Sequence, residues 1–285
     1  MTGRSQRASN LLCMYESLVS TAQGLLTKHS WPSFLNCFAK ICQSGQRPCE
    51  HTLKSPNGPE AAARRGGQTQ PCDDLPTTSL QHGMTPGTEG YAEHAAELAS
   101  RYETVSFAEK HAVVLQFLPS APSSVLDVGA GSGADAAWFS LMGHRVVAVE
   151  PTDLLRRAGM DLHAEHSIEW IDDSLPELAR LQARAEKFDV VMITAVWMHL
   201  DDVERQSAMP RLAALLAPGA VLVMSVRHGP APTERRIFEV SDEETNALAS
   251  SCSLKMLLAV RTASVQAANR MAGVTWSRLV FQQPR

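Results

Sequence analysis

The residues best placed to do chemistry are two carboxylates and three glycines that lie close in sequence. Asp127 precedes the turn Gly129-Ala130-Gly131-Ser132-Gly133, and Glu150 closes the apolar run Val146–Val149. Glycines in such a turn let the backbone approach a ligand closely, and a carboxylate at the tip of the next strand grips a ribose diol. The pattern predicts a nucleotide-like cofactor. The match Gly129-x-Gly131-x-x-Ala134 satisfies the dinucleotide fingerprint, and Glu150 lies 19 residues after Gly131. That spacing fits either a nicotinamide cofactor or S-adenosylmethionine.

Three features favour the second. Asp127 would oppose a pyrophosphate but suits a ligand carrying an ammonium and a sulfonium. Asp172, Asp173 and Ser174 follow the third strand, where carboxylates and hydroxyls can accept the exocyclic amine of adenine. Helix capping would explain the two aspartates as well. The last two strands are separated by Ala263–Gly273 with no clear helix between them, which suits a hairpin rather than a dinucleotide domain.

Further candidates lie where strands end. Thr194-Ala-Val-Trp197-Met-His199 follows the fourth strand, at the sheet edge where ligands bind in open α/β sheets. Thr194 joins the cofactor set there. Trp197 flanks cofactor or acceptor, or else anchors the next helix. His199 is a candidate general base, with backbone satisfaction as the plainer reading. Arg227 and His228 follow the fifth strand: an arginine for an acidic acceptor group and a second base candidate. Either would equally fix the loop. Arg235-Arg236 reads as a solvated turn. Tyr91 and Tyr102 lie on helices ahead of the first strand and are candidate acceptor contacts, with core packing as the alternative.

The elements that must position these groups begin near residue 90. Helical spacing covers Tyr91–Arg101 and Ser106–Leu118. Strands are predicted at Ser124–Val128, Arg145–Val149, Ser167–Ile171, Asp189–Thr194, Ala220–Val226, Leu254–Thr262 and Val274–Gln282. Helices are predicted at Gly133–Met142, Asp153–His163, Pro176–Ala185, Asp201–Leu216 and Ser241–Ser251. Alternating strands and helices imply right-handed crossovers and a parallel sheet.

Composition bounds the rest. The chain has 285 residues, 44% of them hydrophobic, enough for a real core, and a net charge of -4 that provides no general basic surface for nucleic acid. No stretch approaches the length of a membrane span. Five of six cysteines precede the glycine motif, without a secretory signal, so the thiols read as reduced and the protein as cytoplasmic. Cys37, Cys42, Cys49 and His51 lack the paired spacing of a zinc site, and no metal is expected. Residues 1–84, rich in Gly, Pro, Gln, Ser and Thr over their second half, read as a largely disordered extension. Residues 85–285 form the folded domain.

Taken in order, Asp127–Gly133, Glu150-Pro151, Asp172–Pro176, Phe188–Met192 and Leu216–Leu222 resemble the class I S-adenosylmethionine-dependent methyltransferases over residues ~90–283. The resemblance implies a Rossmann-like, doubly wound, mostly parallel seven-stranded sheet with an antiparallel last strand. It also implies that the glycine loop holds the methionine part, Glu150 the ribose hydroxyls, and Asp172 or Asp173 the adenine. Ala220 departs from the family pattern, where a second glycine is common. The expected activity is direct methyl transfer to a small-molecule acceptor, with an acidic group suggested by the mixed apolar and basic loops. A nicotinamide-dependent oxidoreductase and a non-catalytic cofactor-binding regulator are the alternatives. Oligomeric state is not legible.

Overall fold

Apolar strands that are buried on both faces must lie inside a sheet covered by helices, and β1 (Ser124–Val128) and β2 (Arg145–Val149) are such strands. The structure, a computed structural model, describes residues 85–232 and 234–285. The predicted extension 1–84 and its cysteines lie outside the described residues.

Seven strands form one sheet in the order β3-β2-β1-β4-β5-β7-β6. The others are β3 (Ile168–Ile171), β4 (Phe188–Thr194), β5 (Leu216–His228), β6 (Lys255–Ala263) and β7 (Thr275–Gln282). β1 pairs in parallel with β2 and β4, β2 with β3, and β4 with β5. β7 runs antiparallel to both β5 and β6, so the predicted reversal of the last strand holds. The chain reverses direction of winding between β1 and β4, which opens a crevice at their carboxyl ends.

Side chains alternate along the strands and feed two cores. Leu126, Val147, Val191 and Leu222 pack on one face, and Val125, Val146, Val190 and Val223 on the other. The helices that cover them are α1 (Ala95–Tyr102), α2 (Phe107–Lys110), α3 (Ala134–Leu141), α4 (Asp153–Leu162), α5 (Ala179–Gln182), α6 (Asp202–Leu215), α7 (Asp242–Ser251) and α8 (Ala267–Met271).

The predicted helices are all somewhat shorter in the structure, three of them for a clear local reason. Gly133, at φ +83°, caps α3 rather than joining it. Leu178 adopts φ +47°, so the segment predicted at Pro176–Ala185 becomes helical only at α5. The Ser106–Leu118 helix stops at Lys110, where His111 turns inward to donate from Nε2 to Asp135 at 2.9 Å; a 3-10 turn at Leu115–Phe117 follows. The β6–β7 connection carries the short α8, which the sequence reading missed. Among the described residues no helix is long and apolar enough to cross a membrane.

Candidate active site

The glycine loop stands where β1 meets α3, and its backbone conformation is the reason for its composition. Gly129 and Gly131 sit at φ +71° and +59°, in the left-handed region that glycine enters at no steric cost. A Cβ on Gly131 would come within 3.2 Å of the Tyr102 ring. Gly133 has another role. A Cβ there would lie 2.6 Å from Trp170, and Gly133 does not line the cavity. Its predicted contact with a cofactor is corrected to close packing of α3 against β3.

A cavity of about 230 Å³ opens beside this loop, at the carboxyl ends of β1, β2 and β4. Asp127, Gly129, Ala130, Gly131, Ser132, Glu150, Asp173, Ser174, Thr194, His199, Tyr91 and Tyr102 all line it, as the sequence predicts. Glu150 is buried and ties the loop to β2. Its carboxylate accepts from Gly131 N–H and Thr152 N–H, each at 2.8 Å. Burial raises its pKa against the pull of those two donors. Asp127 is only 1% exposed, and its Oδ2 has no partner among the described residues. Burial, then the nearby Asp135 carboxylate, pushes Asp127 well above the usual carboxylate range. A buried, unpartnered carboxylate oxygen facing a cavity is a site for a cation.

Asp135 is held well below the ordinary range, against its burial, by Lys110 at 2.6 Å and by His111. Thr194 Oγ1 donates to it at 3.0 Å. Lys110 and Asp135 line the cavity and were missed in the sequence. Lys110 looked like one more charge on a helix, and only the fold of the segment ahead of β1 brings it to α3.

The remaining predicted residues divide. Asp173 lines the cavity and also accepts from Leu181 N–H at 2.9 Å, so it caps α5 as well. Asp172 turns outward, half-exposed, to Arg156 at 3.2 Å. Its adenine role is corrected: it steadies Arg156, whose Nη1 also donates to the Glu150 carbonyl at 2.6 Å. Trp197 is fully buried and donates from Nε1 to Thr245 at 3.2 Å, so it anchors the turn after β4 instead of flanking a ligand. His228 lies on the opposite sheet face from the cavity-lining Ser225 and donates or accepts with Ser277 at 2.8 Å. That alternation removes it as a base. Arg227 shares the cavity's face but lies beyond its lining, with Nη1 donating to the Gly229 carbonyl at 3.3 Å.

His199 is in place but engaged at both nitrogens. Nδ1 lies 2.6 Å from the Arg236 carbonyl, which can only accept, so Nδ1 carries the proton. Nε2 then accepts from the Tyr91 hydroxyl at 3.0 Å. Burial lowers the pKa of His199 and keeps this neutral form. Arg235 stacks on the Tyr91 ring at 3.9 Å, and Arg236 pairs with Asp201 and Glu204 at 2.9 and 2.8 Å. The Arg235-Arg236 pair is therefore a clasp holding the tyrosine roof to the loop after β5, and not a solvated turn.

A family model described as a methyltransferase domain matches residues 92–261. The chain belongs to the methyltransferase-domain family. The class I S-adenosylmethionine-dependent methyltransferase resemblance read from the glycine loop therefore holds, and the dehydrogenase alternative is set aside. Over 101 residues the chain is 35% identical to a ubiquinone biosynthesis O-methyltransferase of Bradyrhizobium sp. (strain ORS 278), and 32% identical to one of Rhodopseudomonas palustris (strain BisB18). Each match covers 35% of this chain and 38% of that protein, so the chain spans well under half the length of these relatives. Among solved structures, the N-methyltransferase NodS of Bradyrhizobium japonicum WM9, in complex with S-adenosylhomocysteine, is 17% identical with a TM-score of 0.50, covering 67% of this chain and all of NodS. Magnesium protoporphyrin IX methyltransferase of Synechocystis PCC 6803, with bound S-adenosylhomocysteine, is 14% identical with a TM-score of 0.52, covering 68% and 96%. Both likenesses are of fold.

Proposed function

We propose that this methyltransferase uses S-adenosylmethionine to methylate a small organic acceptor within the cavity above β1 and β4. The observation that carries the reading is the pairing of two buried carboxylates across the glycine loop. Asp127 offers a free oxygen to an ammonium, and Glu150 stands at the tip of β2 for a ribose. Asp173 and Ser174 line the far side, where an adenine would lie. When bound, S-adenosylmethionine supplies a sulfonium methyl already activated for attack by a nucleophile.

The chain's own residues then have three tasks. Asp127 and the loop hold the cofactor, and Tyr91 and Tyr102 roof the cavity against water. Ser225 and Trp276, on the β5–β7 side, bound the space for an acceptor. Alignment supplies most of the acceleration in such a transfer. His199 would have to exchange the Tyr91 hydroxyl for the acceptor's proton before acting as a base. The geometry therefore favours an acceptor whose attacking atom already has a free lone pair.

Calorimetric titration of the full chain with S-adenosylmethionine, S-adenosylhomocysteine and NADH tests the cofactor. Binding of the first two and not of NADH is expected. NADH binding alone refutes the reading, and cofactor binding without methyl transfer to any acceptor pool would favour a regulatory subunit.

A further inference from the structure

Beyond the cofactor loop, the cavity wall formed by β5 and β7 contains a buried guanidinium with an unpaired donor among the described residues. Arg278 is only 4% exposed, yet it lines the cavity, and its Nη1 has no acceptor among the described residues. The carboxylate whose charge acts on it is Asp135, which is already bound by Lys110, His111 and Thr194. Burial lowers the Arg278 guanidinium to about 10, so it remains charged at neutral pH. A buried guanidinium donor without a partner is costly, and folds retain one where something supplies the opposite charge.

A second orphan stands beside it. Ser225 is the residue directly opposite Arg278 in the β5–β7 register, so both side chains leave the same face of the sheet. Ser225 is buried and lines the cavity, and its Oγ has no partner among the described residues. One unpaired N–H donor and one unpaired hydroxyl, side by side, match the two oxygens of a carboxylate. Trp276, two residues along β7 on the same face, also lines the cavity, with the Arg278 guanidinium 5.5 Å from its ring centroid. Its indole gives an apolar or aromatic body a surface next to the anion pair.

We propose that Arg278 and Ser225 form the acceptor's anchoring subsite, which takes the carboxylate of an aromatic or aliphatic acid whose body lies along Trp276. This rests on the methyltransferase reading of the cavity. It also moves the expected acidic-group contact from Arg227 to Arg278, which shares its sheet face but lies on the neighbouring strand and inside the cavity wall.

The test uses the full chain, alone and saturated with S-adenosylhomocysteine, titrated with benzoate and octanoate and with benzamide and octanamide as uncharged counterparts. At least one acid should bind at concentrations up to about 10 mM, and about tenfold to a hundredfold more tightly than its amide, the range of a charge-assisted hydrogen bond. Arg278→Met should erase that preference while leaving S-adenosylhomocysteine binding intact, which also shows that the variant is folded. Ser225→Ala should narrow it, and Arg227→Gln should leave it unchanged. Equal binding of acid and amide, no binding of either acid, or an acid preference that survives Arg278→Met overturns the proposal. Failure of S-adenosylhomocysteine to bind the wild-type chain overturns the cofactor reading instead, and the acid–amide comparison on the chain alone still decides the subsite.

Discussion

Replacing Asp127 by Asn separates what this carboxylate costs the folded chain from what it does for a ligand. Asn keeps the shape and an oxygen for the Ala136 N–H, and removes only the charge. In the folded chain Asp127 is raised by burial first and by Asp135 second. Between the ordinary carboxylate pKa and that raised value, the folded chain keeps a proton that the unfolded chain has lost. Stability linked to Asp127 is therefore complete below the ordinary value and declines as pH rises through this window. Each unit of elevation is worth about 1.4 kcal/mol. At neutral pH the ligand-free Asp127→Asn variant should be more stable by at least about 1 kcal/mol, roughly 2–4 °C in Tm for a domain of this size. Binding should move the other way. Losing a charge-assisted hydrogen bond to an ammonium costs about 1.5–3 kcal/mol, or roughly 10- to 150-fold in Kd for S-adenosylmethionine. A cation also draws the proton off Asp127, so wild-type binding should release protons and tighten as pH rises from the ordinary carboxylate value towards the raised one. Calorimetry in two buffers of different ionisation enthalpy reads that release directly. A variant that binds as tightly as wild type, or that is clearly less stable without ligand, refutes the reasoning.

Two of the loop glycines should fail differently. Gly131→Val places a branched side chain against Tyr102 and should remove S-adenosylhomocysteine binding in a folded protein, whereas Gly133→Ala should lower stability by about 1–3 kcal/mol through its clash with Trp170 and spare affinity. Denaturant melts and titrations on the same samples separate the two. The neutral His199 clasp predicts an acid-sensitive roof. Its pKa is lowered by burial, so its contribution is complete above the ordinary histidine value of about 6.5 and is lost as pH falls through the folded value. The wild-type Tm should therefore drop further than that of His199→Gln on acidification below that point, and parallel curves would show that the histidine is not held neutral.

The sequence was most legible where one physical demand dominates. β1 and β2 match their predicted spans because four consecutive buried positions in each favour apolar residues, Asp127 in β1 apart. The reversed last strand was legible from the short connection ahead of it. Asp127, the glycine loop and Glu150 were legible because a tight turn and a strand tip prescribe residue type. What failed depended on register and long-range contact. Arg227 and His228 looked equivalent at the end of β5, but the pleat sends them to opposite faces. Arg278, inside β7, had no local signature at all: a charge in a strand reads as an exposed edge residue until its neighbours are known. Lys110 and Asp135 lie 25 positions apart in sequence and meet only because His111 ends α2 early.

The sheet order has an evolutionary consequence. Asp127, Gly131, Glu150, Thr152 and Asp173 come from one uninterrupted stretch that ends before β4. Ser225, Trp276 and Arg278 all come after it begins. The crevice at the β1–β4 boundary is thus also a seam in the gene. On the proposed assignment of the site, recombination or drift downstream of Phe188 would re-specify the acceptor while the upstream half went on gripping the same methyl donor. Such a chain diversifies by exchanging one end.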